Sequence, residues 1–396
     1  MPDTKTKSNS RNSVSEERQK APSAIPIDAA KDAKHLQEIP ILGFDYIEFY
    51  VGNAKQARYY YERGLGFEVV GYRGLETGDR SLTSYALQQN NVKLVLTSSL
   101  NPNHEVAEHV KRHGDGVRSI GFTVANVVEC YEQACARGAQ SVQPPVSEVD
   151  KFGTFVSASV KTYGETVHTF IDRKNYGAMI RPGYQPVNSW AGGVGFGNID
   201  HVVGNVEKDK MMDWVSFYER IFGFHVFQGF NASDINTQYS ALTSRVMANK
   251  AGTIKMPINE PAAGERKSQI QEYLDFYEAP GVQHIAVTTN NIIATVTELR
   301  KRGIEFLSVP QAYYDTLTER VGTIDEDVDA LAKLGILVDR ESSGYLLQIF
   351  TKPVEDRPTL FFEIIQRKSG ASGFGRGNFM SLFESLEREQ DLRGNL

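Results

Sequence analysis

A duplication constrains this chain more than any other feature. The stretch from Phe44, FDYIEFYVGNAKQARYYYERGLGFEVV, recurs from Ile199 as IDHVVGNVEKDKMMDWVSFYERIFGFHVF. The copies share Asp45 with Asp200, Tyr61-Glu62-Arg63 with Tyr218-Glu219-Arg220, and Gly66-Phe67 with Gly223-Phe224. A second block, GVRSIGFTVANVVECYEQACARGAQSV from Gly116, recurs from Gly281 as GVQHIAVTTNNIIATVTELRKRGIEFL. Blocks that return at a nearly constant offset mark a repeated fold. Each block reads as a strand of period-two alternation, an amphipathic helix, then glycine and further strands. The expected unit is βαβββ, with two units in each copy.

A chain of 396 residues is longer than one hydrophobic core usually serves, which a duplication accounts for. Between the copies, RPGYQPVNSWAGGVGFGN carries the proline and glycine of a connection. The expected organisation is a tail at 1–38, a first domain at 39–185, a linker at 186–198 and a second domain at 199–396. The tail is rich in Ser, Lys, Asp, Glu and Ala and is expected to be mobile, because it has too little apolar surface to offset ordering. Asp3, Glu16, Glu17, Asp28 and Asp32 make it too acidic for a transit peptide. Hydrophobic residues at 40% and charged residues at 23% are those of a globular protein. A net charge of -6, without a basic stretch interleaved with aromatics, argues against a nucleic-acid partner. No run approaches the roughly 18 apolar residues of a membrane span. Cys130 and Cys135 have no disulfide or zinc spacing, so a cytoplasmic location is expected.

Chemistry shows where the copies differ. Asp45-Tyr46 faces Asp200-His201, and Arg118-Ser119 faces Gln283-His284. If matched strands take equivalent places, His201 and His284 lie on neighbouring strands and point at one interior. Aligning Arg173 with Arg367 sets Thr169 opposite Glu363, in the apolar strand TLFFEIIQR. A lone buried carboxylate there would cost several kcal/mol without a compensating cation. Two histidines and one carboxylate form a facial triad that leaves positions open on iron(II). The first copy, lacking all three, reads as scaffold.

Taken singly, a histidine in a strand is more often a satisfied core residue than a ligand; three coincident differences between copies favour ligands. His104, His109 and His113 are the rival cluster, the last two at i, i+4 spacing. They lack the glutamate of an HExxH motif. Amid Glu105, Glu108, Lys111 and Arg112 they read as a solvated helix face. Gly373-Phe374-Gly375-Arg376-Gly377 has the wrong spacing and context for a phosphate loop. Instead, Leu382, Phe383 and Leu386 form a stripe on a helix from about Phe379 to Arg388, expected to close as a lid on a glycine hinge.

Four stretches carry a resemblance: PINEPAAGERKSQIQEYL from Pro257, GVQHIA from Gly281, LLQIFTKPVEDRPTLFFEIIQR from Leu346 and GFGRGNFMSLFESLE from Gly373. There the chain resembles the 4-hydroxyphenylpyruvate dioxygenases of the vicinal oxygen chelate superfamily, from about residue 40 onward. The resemblance implies an α+β fold of four βαβββ modules in two open barrel-like halves, with a C-terminal lid helix. It implies one Fe(2+) per subunit on His201, His284 and Glu363, and a homo-oligomer, dimer or tetramer. It implies 4-hydroxyphenylpyruvate and dioxygen as substrates and homogentisate and carbon dioxide as products, in tyrosine catabolism. Ser244, Asn259, Gln269, Gln283, Gln348 and Asn378 are the implied polar wall of the substrate pocket, and Phe350, Phe361, Phe374 and Phe379 its aromatic lining. Alternation agrees in part, pairing Gln348 with Phe350 and Phe361 with Glu363 while turning Phe362 to the opposite face. Ordinary core packing is the bland alternative for the phenylalanines.

Two other activities fit much of this pattern. A 4-hydroxymandelate synthase would share fold, metal and substrate, but Phe379, with Pro257 ahead of Asn259, favours attack on the ring. A non-catalytic binding module would not require the complete triad. A glyoxalase or extradiol dioxygenase leaves the PINEP, KSQIQ and QIF segments unexplained.

Overall fold

The structure, a computed structural model, describes residues 37–178, 180–187, 189, 192–232 and 239–395. The expected mobile tail therefore lies outside the described residues except for Gln37 and Glu38.

The four units are all present. The first comprises β1 (Ile41–Tyr50), α1 (Ala54–Arg63), β2 (Glu68–Arg73), β3 (Leu82–Gln89) and β4 (Val92–Ser99). After α2 (Glu105–His113) come β5 (Gly116–Val124), α3 (Val127–Ala136), β6 (Ser141–Asp150), β7 (Gly153–Lys161) and β8 (Val167–Asp172), then the short β9 (Gln185–Pro186). The third unit is β10 (Phe196–Asn205), α4 (Met211–Phe222), β11 (His225–Phe230), β12 (Ala241–Ala248) and β13 (Lys255–Ala262). After α5 (Gln269–Tyr277) the fourth begins with β14 (Gly281–Thr289) and α6 (Ile292–Lys301). It then inserts α7 (Ala312–Asp315), α8 (Leu317–Val321) and α9 (Val328–Leu334) before β15 (Leu337–Arg340), β16 (Tyr345–Phe350) and β17 (Phe361–Lys368). The chain closes on α10 (Phe379–Leu392).

Strand order β6-β7-β8-β5-β1-β4-β3-β2 in the first sheet returns as β15-β16-β17-β14-β10-β13-β12-β11 in the second, with β9 added beside β2. Within the expected linker 186–198, Pro186 pairs with Gly71 in β9 and Phe196 opens β10. Gln89 Oε1 holds that connection, accepting the backbone N–H groups of Val194, Gly195 and Phe196 at 2.7, 3.0 and 3.1 Å.

Local signals for the helices repeat as well. Asn53, Asn126 and Asn291 cap α1, α3 and α6, each accepting a backbone N–H of the first turn. The fourth helix of the set, α4, has Lys210 at its cap, and Glu260 Oε2 accepts Met211 N–H from across the sheet at 3.1 Å instead.

The halves meet through their helices, crosswise. Tyr61 of α1 packs on Phe362 of β17 with ring centroids 6.1 Å apart, and Tyr218 of α4 packs on His168 of β8 at 5.6 Å. Tyr61 and Tyr218 are repeat equivalents, and so are Phe362 and His168, which pair with Ile285 and Ile120. The seam is thus pseudo-twofold. Phe362 is wholly buried in it, a placement that stabilises by about 1.5–3 kcal/mol. Its neighbour Glu363 faces the opposite side of the sheet, because successive strand residues alternate. One face of the second sheet is therefore committed to holding the halves together, which leaves the other face for chemistry. Cys130 and Cys135 are both free thiols. Among the described residues no helix is long and apolar enough to cross a membrane.

Candidate metal centre

Strands β10, β14 and β17 lie side by side, and two of them are irregular. Pairing steps from Ile199 opposite Val287 to His201 opposite Ala286, and from Val203 opposite His284 to Gly204 opposite Val282. Each step leaves one extra residue beside a histidine: Asp200 in β10 and Gln283 in β14. Bulges of this kind re-aim side chains, and here they let consecutive residues act on one group. His201 Nδ1–H donates to Asp200 Oδ1 at 2.7 Å, and His284 Nδ1–H donates to Gln283 Oε1 at 3.0 Å. With both Nδ1 atoms protonated, each Nε2 presents a lone pair. These face Glu363 Oε2 at 3.1 Å from His201 and 3.4 Å from His284.

Glu363 reaches them because β17 runs parallel to β14 with Ala286 opposite Glu363. In the first half Gly121 stands opposite Thr169, which places Thr169 at the position of Glu363. Its site holds hydroxyls instead of ligands, with Ser119 Oγ 2.7 Å from Thr169 Oγ1. What the halves keep in common is an ion pair. Arg367 grips Asp200 through Nε at 2.8 Å and Nη2 at 2.7 Å, and Arg173 grips Asp45 through the same atoms at 2.6 Å each. Each arginine uses Nη1 for a later carbonyl, Gly373 O at 2.7 Å for Arg367 and Ile180 O for Arg173.

Burial alone would raise the Glu363 carboxyl, but the facing His201 and His284 outweigh it and hold the group down to about 2. Burial likewise pushes His201 down, and the Glu363 and Asp200 carboxylates reverse that, so its pKa is raised. For His284 burial prevails and the pKa is lowered. Asp200 is held well below the usual carboxylate range, Arg367 and His201 overcoming its burial. The three buried groups offer two nitrogens and a carboxylate oxygen within 4.8 Å of one another. This donor set fits a divalent metal, which would meet both lone pairs and the negative charge.

The triad opens on a cavity lined mostly by apolar and aromatic side chains. Ser244 and Asn259 line it from β12 and β13, Gln269 from α5, Gln283 from β14, and Gln348 and Phe350 from β16. Phe361, Phe374 and Phe379 complete the aromatic side. Phe361 stacks on His284 at 4.8 Å, and Phe374 meets His201 edge-on at 4.9 Å. Gln283 Nε2 donates to Gln269 Oε1 at 2.9 Å, while Gln348 Oε1 is buried without a partner. Asn378 is not in this lining; it is buried beside it and its Oδ1 accepts from Tyr313 O–H at 2.6 Å. Sequence reasoning missed Val203, Phe230, Leu242 and Val246. Alternation was the available signal, since Val203 is two residues from His201 and Leu242 and Val246 flank Ser244 at the same interval.

The C-terminal helix is longer than expected, α10 continuing to Leu392. Leu382, Phe383 and Leu386 all face the cavity from it. Gly375 precedes it with φ +73, and a Cβ there would lie 2.4 Å from Gln348 Oε1. A side chain there would have to displace the pocket amide and sit at positive φ, so glycine suits the close crossing.

The reading of His109 and His113 as solvated is wrong. Both are buried, at 3% and 0% exposure, because the face of α2 that carries them packs against α5 instead of facing water. His104 stands apart as the helix cap, its Nδ1 accepting Val106 N–H at 3.2 Å.

The family model for the Glyoxalase/Bleomycin resistance protein/Dioxygenase superfamily matches residues 43–171 and 198–349, one match in each half. The 4-hydroxyphenylpyruvate dioxygenase of Dictyostelium discoideum is 49% identical over 367 residues, covering 89% of this chain and 100% of its own length. That of Danio rerio is 48% identical, covering 90% and 92%. Among solved structures, a mutant 4-hydroxymandelate synthase from Streptomyces coelicolor superposes with a TM-score of 0.81 at 31% identity, covering 89% of this chain and 100% of its own. Two halves built on one strand order, a His201, His284 and Glu363 triad whose equivalent positions in the first half hold Tyr46, Ser119 and Thr169, and near-half identity along almost the whole length lead to one assignment: the chain belongs to the 4-hydroxyphenylpyruvate dioxygenase family of this superfamily.

Proposed function

We propose that the chain converts 4-hydroxyphenylpyruvate and dioxygen to homogentisate and carbon dioxide, both oxygen atoms entering the product, with iron(II) held by His201, His284 and Glu363. The observation that carries this is a buried triad whose Nδ1 atoms are already tied down, opening on a pocket of phenylalanines and amides. When bound, the metal supplies Lewis-acid positions for the 2-oxo acid and the redox chemistry of dioxygen.

The remaining work falls to the chain. Asp200 and Gln283 keep the imidazoles in the tautomer and orientation that ligation needs. Phe350, Phe361, Phe374 and Phe379 offer apolar faces to the aromatic ring and exclude water from the reacting atoms. Gln348 Oε1, buried with no protein partner, is an acceptor for a phenolic O–H, and the linked Gln269 and Gln283 amides, with Ser244 and Asn259, are further polar groups to orient it. Leu382, Phe383 and Leu386 of α10 close the cavity and make it a lid.

The test is dioxygen uptake by iron(II)-loaded protein given 4-hydroxyphenylpyruvate, with the product separated against homogentisate and 4-hydroxymandelate. Homogentisate is expected. Hydroxymandelate would keep the site and overturn the role given to Phe379; no turnover by metallated protein would overturn the activity.

A further inference from the structure

The seam between the halves holds a second cluster of histidines and a carboxylate. His109 and His113 lie one turn apart on the buried face of α2, and Glu165 meets both from the turn between β7 and β8. Its Oε2 is 2.8 Å from His109 Nδ1 and its Oε1 is 3.5 Å from His113 Nε2. The corresponding separations in the triad are 3.1 and 3.4 Å. Ligands about 2.0–2.2 Å from a metal ion stand roughly 2.8–3.6 Å from each other across octahedral and tetrahedral geometry, and the separations in both clusters fall within that spacing.

One hydrogen bond gives the second cluster its chemistry. His113 Nδ1–H donates to the carbonyl of Tyr277, at the end of α5 in the other half, and the two rings stack at 4.5 Å. The bond fixes the tautomer, so Nε2 carries a lone pair. That atom is buried with no hydrogen-bond partner, and it looks at a carboxylate oxygen. Two acceptors facing one another repel unless a cation stands between them. A histidine whose other nitrogen is anchored on a backbone carbonyl is also the usual form of a metal-ligating histidine. Opposing a cation, Arg112 Nη1 stands 3.3 Å from Glu165 Oε1, and Arg118 donates to the Glu165 carbonyl. The site should therefore bind more weakly than the triad.

We propose that His109, His113 and Glu165 form a second divalent-metal site, suited by its two nitrogens and one oxygen to zinc or cobalt, which links α2 to the turn between β7 and β8 and so holds in place the His113 ring that α5 of the second half packs against. The metal would brace the first half's side of the seam and take no part in turnover.

The experiment removes the triad and counts what remains. Metal-free wild type, Glu363→Ala, Glu165→Gln and the double variant are each equilibrated with zinc alone, desalted and analysed for zinc per chain. Two equivalents are expected for wild type, one for each single variant and none for the double. His113→Asn, whose amide can still donate to the Tyr277 carbonyl, should lose the same equivalent as Glu165→Gln while keeping the fold and homogentisate formation. Zinc should also raise the melting temperature of Glu363→Ala but not of the double variant. If Glu363→Ala binds no zinc even at a free concentration far above the one that fills the triad of wild type, a proton on His113 is what separates it from Glu165, and the proposal is overturned.

Discussion

Replacing Asp200 by asparagine should loosen the metal while replacing Asp45 by asparagine should not, although both break the same ion pair. The duplication supplies this control. Each aspartate is held by two arginine nitrogens at 2.6–2.8 Å, and the arginine side chains are similarly shielded, 16% exposed for Arg367 and 15% for Arg173. An asparagine would turn an NH₂ towards those donors and leave the guanidinium without its counter-charge. Breaking a buried pair in this way costs about 3–5 kcal/mol, a ceiling here because both arginines keep some contact with water. The stability losses should therefore be alike. Only Asp200 also accepts from a candidate ligand, His201 Nδ1–H at 2.7 Å. Loss of such an orienting carboxylate typically weakens metal binding about 10–100-fold. Urea unfolding of the metal-free variants measures the shared term, and competition with a chelator measures the other. Equal metal affinity in the two variants, whether both weakened or neither, would refute the role given to Asp200.

Three further outcomes are expected. Gly375→Ala places a Cβ against Gln348 at φ +73, whereas Gly370→Ala meets positive φ (+83) with nothing within 4 Å; both should lose about 1–2 kcal/mol, but only the first should raise KM, and an unchanged KM would show that the Gln348 contact is idle. Phe379→Ile, which removes the ring packed on Phe230 at 4.7 Å, should shift product from homogentisate towards hydroxymandelate on chromatography; homogentisate alone would exclude Phe379 as the residue that aims the ring. His168 is driven by burial from 6.5 down to about 3, so the unfolded chain takes up its proton first. The stability it contributes is full above pH 6.5 and falls by up to about 1.4 kcal/mol per pH unit towards pH 3; His168→Gln should flatten the measured dependence by that slope, and an unaltered slope would mean that His168 is charged in the fold.

What the sequence determined by itself was whatever is written locally and then repeated. The two copies, the βαβββ units and the separation of Phe362 from Glu363 all follow from short-range pattern, because strand alternation and helix periodicity are set by residues a few positions apart. Comparing the copies with each other located His201, His284 and Glu363, since a difference between equivalent positions is visible without any contact being known. The pairing of Thr169 with Glu363 rested on one arginine alignment, and strand register made it firm.

Other features were decided only when distant segments met. The bulges that turn Asp200 and Gln283 onto their neighbouring histidines are properties of strand pairing, not of either strand alone. The resemblance sets Asn378 among the pocket residues, but Tyr313, contributed by the inserted helices, claims its amide oxygen. His109 and His113 sit among charged residues and look solvated in sequence; α5 and Glu165, more than fifty positions away, bury them. In each case the physical cause is the same: burial and hydrogen-bond partnership are set by what the fold brings opposite a residue, and local pattern does not carry that information.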